Sequence, residues 1–165
     1  MRTITEEIAI YKFGEKETPE DVKQKIREYL CDHDHGYWML EERINTLKAI
    51  ARVLNANLDY SLSVVPDRGE YIAMRPKYDE IYFQELRDIL DSRENCPFTG
   101  GCYDEDFKDA FLEAKTDCNI EALNYALDKY VEDIHSEYEA MCTDEYLVDM
   151  CEANDYEFTA DGKIY

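Results

Sequence analysis

Glycine and proline are scarce, at 6 and 4 of 165 residues, which excludes low-complexity linkers. No Gly-rich loop stands ready to cradle a phosphate, and no Gly-x-Ser-x-Gly marks a nucleophile. No window approaches the roughly 18 consecutive apolar residues of a membrane span. The opening Met-Arg-Thr-Ile-Thr-Glu-Glu has no apolar h-region and does not read as a signal peptide. A cytoplasmic protein is expected, with its six cysteines as reduced thiols. Basic residues are also few: 18 Lys and Arg face 39 Asp and Glu, a net charge of −21. Phosphates would be repelled, so neither direct nucleic-acid binding nor an anionic membrane is expected. A basic protein surface would be attracted.

What is present supports a folded chain. A hydrophobic content of 45% is enough for a core. The negative charge is uneven. Residues 93–165 hold 20 acidic against 5 basic residues, and residues 1–92 hold 19 against 13. The sequence therefore predicts an α+β fold: an α+β core over 1–92, and over 93–165 an acidic, mostly helical lobe with a C-terminal hairpin.

Residues 4–13 read as a strand. Thr18-Pro19-Glu20-Asp21 predicts a helix start, with Thr18 as cap and Val22, Ile26, Tyr29 and Leu30 as its apolar stripe. A second helix is predicted over 38–55, with Leu40, Ile44, Leu47, Ile50, Ala51 and Leu54 at helical spacing. Alternation over 58–64, the turn at Pro66-Asp67-Arg68-Gly69 and the segment 71–75 predict paired strands. With 4–13 these would form one small antiparallel or mixed sheet. A third helix is predicted over 79–92, with Ile81, Phe83, Leu86, Ile89 and Leu90 as its apolar residues. A short helix over 104–115 and a long one to about Cys142 follow. The latter's core stripe is Ile120, Leu123, Leu127, Tyr130, Ile134, Tyr138 and Met141. Thr143 caps a last helix, and Asp161-Gly162 turns the hairpin.

Three segments carry a loose resemblance: Tyr11-Lys12-Phe13, Asp59-Tyr60-Ser61-Leu62, and the ending Tyr156-Glu157-Phe158-Thr159-Ala160-Asp161-Gly162-Lys163-Ile164-Tyr165. They resemble small acidic uncharacterised proteins of phages and other mobile elements. Gly14-Glu15-Lys16-Glu17 departs from that pattern, which would place an apolar residue before the helix cap. The resemblance implies a protein working in the cytoplasm of a host cell, in a group that includes inhibitors of host nucleases. It supplies no functional residue.

The acidic helices suggest a partner-binding surface made of Asp104, Glu105, Asp106, Asp109, Glu113, Asp117, Glu121, Asp128, Glu132 and Glu139. Positions 121 and 139 would lie about 27 Å apart, and carboxylates four residues apart about 6 Å, close to the phosphate spacing of one nucleic-acid strand. Such a row would imitate DNA and occupy the basic groove of a nuclease of a CRISPR or restriction system. The plainer reading of the same residues is a solvated helix face. Against it, like charges at i,i+4 repel by a few tenths of a kcal/mol each, and a face without function would mix signs.

Cys31-Asp32-His33-Asp34-His35 and Cys96-x5-Cys102 match no compact zinc motif. Asp104-Glu105-Asp106 lacks the central glycine of a calcium loop. Glu132-x-x-His135 is half of a di-iron signature without its second half, leaving His135 as a surface residue. No cofactor, no metal and no catalytic residue are expected. The leading expectation is a non-enzymatic inhibitor. Its alternatives are a phage structural or adaptor protein, which could use its tyrosines to form a homodimer, and a metal- or thiol-dependent enzyme.

Overall fold

A computed structural model describes residues 9–33, 35–65, 68–77, 80–92, 96–101 and 103–165, with only the backbone of residues 32, 33 and 35. Among them lie β1 (Ile10–Tyr11), α1 (Glu20–His33), α2 (His35–Val53), β2 (Ala56–Ser61), β3 (Tyr71–Pro76), α3 (Glu80–Leu90), α4 (Tyr103–Glu113), α5 (Asn119–Met141), α6 (Asp144–Ala153) and β4 (Phe158–Thr159). The fold is α+β, with two separate two-stranded antiparallel sheets, β1–β4 and β2–β3. The chain divides into two compact units, residues 1–36 with 138–165, and residues 37–137. The boundary expected after Ser92 falls inside the second unit. Part of the expected strand 4–13, part of the turn at 66–69 and Cys102 lie outside the described residues.

In the first unit, β1 pairs with β4, with Tyr11 opposite Phe158, rather than joining β2 and β3. Phe13, Val22, Ile26, Leu30, Leu147, Cys151 and Phe158 form the core. The C-terminal hairpin forms as expected: Gly162 has φ 82° and its N–H donates to Thr159 O at 2.9 Å. A Cβ on Gly162 would sit 2.6 Å from the Lys25 carbonyl carbon, so only glycine lets this turn lie on α1. Thr143 caps α6, accepting from Tyr146 N. Thr18 does not act as the expected cap; it is buried and its hydroxyl donates to Lys12 O at 2.6 Å.

In the second unit, β2 and β3 pair from Ala56↔Pro76 to Ser61↔Tyr71. The alternation of β2 is as expected, with Leu58 and Tyr60 turned inward. Helices α2, α3, α4 and α5 supply most of the core, including Leu47, Ile50, Leu86, Phe107, Leu123 and Leu127. Ile81 does not join it and is 70% exposed, because Phe83, Leu86 and Leu90 set the buried face of α3. No helix among the described residues is long and apolar enough to cross a membrane.

Candidate functional site

Helix α5 buries Leu123, Ala126, Leu127, Tyr130 and Ile134. The opposite face must then carry 121, 125, 128 and 132, at spacings of four, three and four. Glu121, Tyr125, Asp128 and Glu132 occupy those positions and all are exposed. From Glu121 to Glu132 the stripe runs about 16 Å along the axis. On α4, Phe107, Ala110 and Phe111 are buried, which leaves Glu105, Asp109 and Glu113 exposed; Asp117, in the connection to α5, is exposed too. Glu139 is exposed but belongs to the first unit.

These faces are not bare of partners. Lys129 Nζ lies 3.4 Å from Glu132 and 3.7 Å from Asp133. Exposed pairs of this kind add little to stability but neutralise part of the row. Glu121 accepts from the Thr116 hydroxyl at 2.7 Å. Folding also redistributes the charge that the sequence concentrates in its second half. Residues 1–36 with 138–165 hold 17 acidic and 7 basic residues, a net of −10; residues 37–137 hold 22 and 11, a net of −11. In the first unit Lys12 and Arg27 pair with Asp155 and Asp144 of the C-terminal segment.

Asp104 is not part of the surface, which corrects the expectation for it. It is fully buried and accepts five hydrogen bonds. Oδ1 takes the hydroxyls of Thr46 at 2.7 Å and Thr99 at 2.9 Å. Oδ2 takes the backbone N–H groups of Phe98, Thr99 and Gly100 at 2.7, 2.6 and 3.2 Å. The carboxylate thus folds the loop before α4 around itself, as oriented backbone amides do around an anion.

Asp106 is half-exposed, and its Oδ2 lies 2.9 Å from Arg43 Nη2. Arg43 is the centre of a buried polar cluster. Its side chain is 2% exposed, and Glu137 Oε2 lies 2.6 Å from the same Nη2. The guanidinium also lies over the rings of Tyr103 and Tyr130, 4.5 and 4.9 Å from their centroids, within cation–π range. Burial opposes its charge, but Glu137, Tyr130 and Asp106 outweigh it, and Arg43 stays charged. Tyr103 donates to Glu137 Oε1 at 3.1 Å. Burial raises the Tyr130 phenol, whose O–H donates to Tyr103 O at 3.3 Å. Nη1 of Arg43 is buried without a hydrogen bond.

A cleft of about 460 Å³ opens above this cluster, lined by Arg43, Tyr103, Asp106, Asp133, Ser136 and Glu137. Burial holds the Asp106 carboxyl above the usual carboxylate range; Arg43 pulls it down, while Glu137 and Asp133 push it up. Arg43, Tyr103, Asp133 and Glu137 were absent from the sequence expectation, which held Tyr130 only as a core residue of the long helix. The available signal was Arg43 itself, four residues before Leu47 on the apolar face of α2.

His135 is not a free surface residue: its side chain is 18% exposed, and Nε2 lies 2.9 Å from Glu70 Oε2, without the alignment of a hydrogen bond. No group of three or more His, Cys, Asp or Glu among the described residues is placed to hold a metal ion. Of the two segments weighed and set aside as zinc ligands, Asp34, Cys102 and the side chains of Asp32, His33 and His35 lie outside those residues. Cys118, Cys142 and Cys151 are free thiols. No protein-family model, curated protein or solved structure matches the chain, so any functional reading rests on these side chains.

Proposed function

We propose that the outer faces of α4 and α5 dock on a basic groove of another protein, and that the chain acts without catalysis as an inhibitor of a host defence nuclease. The carrying observation is the stripe Glu121–Tyr125–Asp128–Glu132 on one helix face; among the described residues Lys129 alone forms an ion pair with it. Carboxylates fixed at helical spacing compete with phosphates for the same cations. Asp109, Glu113 and Asp117 extend the acidic face, whereas Asp104 takes no part and Asp106 belongs to the Arg43 cluster. The origin in a phage or mobile element belongs to the same proposal and rests on the resemblance described above.

The test is inhibition of DNA cleavage by a panel of restriction and CRISPR nucleases. Inhibition by a basic-groove mechanism weakens steeply with salt. Asp128→Lys/Glu132→Lys weakens it at least tenfold, or ~1.4 kcal/mol, and Glu20→Lys/Asp21→Lys in the first unit does not. Inhibition that survives the α5 reversals refutes the reading.

A second reading has its own support. Tyr37 and Trp38 are 68% and 58% exposed at the start of α2. Adjacent exposed aromatics suit an adaptor protein that associates through apolar contact. A salt-resistant homodimer in size exclusion, lost in Trp38→Ala, would favour it.

A further inference from the structure

We propose that the cleft between α4 and α5 seats one arginine or lysine side chain of a protein partner, and that a backbone carbonyl of the same segment becomes the acceptor for Arg43. This refines the docking surface above and rests on that reading for the partner's identity alone. Charge is the first reason. Three carboxylates, Asp106, Asp133 and Glu137, line the cleft against one guanidinium. Arg43 holds Asp106 and Glu137, and Lys129 comes only to 3.7 Å of Asp133 while staying 41% exposed. The cleft therefore keeps surplus negative charge. The described residues form no metal-binding group, so an organic cation with spread donors suits the cleft better than a metal ion.

The second reason is independent. Arg43 is 98% buried by its 2% exposure, lines the cleft, and leaves Nη1 without an acceptor. A buried charged donor without a partner is a missing hydrogen bond. Nη1 is shielded from solvent, so water does not make that bond, and seating the segment entails a shift of the cleft wall. A simple amine brings no acceptor. A basic peptide segment brings both a cation and carbonyl oxygens.

The test titrates acetyl-Gly-Arg-Gly-amide into the full ¹⁵N-labelled chain at low salt, followed by NMR. Saturable shifts are expected at the amides of Tyr103, Asp106, Asp133 and Glu137 and at Arg43 Nε. Asp106→Asn/Asp133→Asn raises the Kd at least tenfold. Glu80→Gln/Glu85→Gln on α3 makes the same charge change and leaves it within about twofold. If the first pair unfolds the chain, Asp133→Asn alone carries the test, since it leaves both Arg43 ion pairs in place. Butylammonium, which lacks a carbonyl, binds more weakly and leaves Arg43 Nε unshifted. Shifts spread over all the acidic faces, or equal weakening by both double variants, overturn the proposal. Peptide binding in the cleft without nuclease inhibition overturns the inhibitor reading instead; inhibition with a silent cleft does the reverse.

Discussion

Replacing Asp104 by alanine removes one carboxylate and strands five donors at once. Two are hydroxyls, of which Thr46 is 1% exposed and cannot turn to water. Three are backbone N–H groups of Phe98, Thr99 and Gly100, which face the same oxygen. A stranded buried donor costs about 1–3 kcal/mol, but the costs do not add, and Gly100 is exposed enough for water to reach the loop. The net loss should resemble that of breaking a buried charge pair, about 3–5 kcal/mol. Against a total stability of about 5–15 kcal/mol that is a large fraction. With a urea m-value of roughly 2 kcal/mol/M, the midpoint falls by about 2 M. Circular dichroism in urea reads it, with Glu105→Ala as the control. Glu105 is the next residue along and exposed, so its loss stays within about 0.5 kcal/mol. If Asp104→Ala unfolds within 1 kcal/mol of the parent, as judged on the same scale, the carboxylate does not organise the loop and the reasoning fails.

The two glycines with φ 82° separate packing from backbone strain. Gly100→Ala meets nothing within 4 Å and should cost about 1 kcal/mol, whereas Gly162→Ala drives a Cβ to 2.6–2.8 Å of Lys25 and Ile26 and should cost about 2–5 kcal/mol. Equal melting shifts would mean the hairpin turn does not rest on α1. Burial pushes the Cys151 thiol up to about 11, so at pH 8 roughly one molecule in a thousand carries the thiolate. Iodoacetamide should label exposed Cys118 first and spare Cys151 in the native chain; early labelling of Cys151 by mass spectrometry would contradict its place in the core.

Much of the architecture was legible because helical periodicity is local. The buried residues of α5 follow the expected stripe through Leu123, Leu127, Tyr130 and Ile134, and Thr143 and Asp161-Gly162 punctuate the chain as their chemistry predicts. Pairing was not legible. Nothing in Ile10-Tyr11 says that its partner is Phe158–Thr159, since strand partners are chosen by a distant core, here Phe13 and Phe158 against α1 and α6. The acidic surface was half legible. Glu121, Asp128 and Glu132 face outward because the apolar stripe forces them to. Asp104 and Asp106 read as more of the same run, yet Asp104 is three residues before Phe107 and turns inward with it. Arg43 hid for the converse reason: a periodicity built from apolar residues skips a charge on the buried face, and only the facing Asp106 and Glu137 explain its presence.

The most direct measurement of the proposed inhibition is a competition between this chain and duplex DNA for each nuclease of the panel, read as cleavage rate against DNA concentration at low and high salt. The account predicts competitive inhibition, relieved by excess DNA and by salt, and lost on reversal of Asp128 and Glu132. Inhibition that is noncompetitive with DNA and unmoved by salt would contradict it, and would make the stripe on α5 a solvated face.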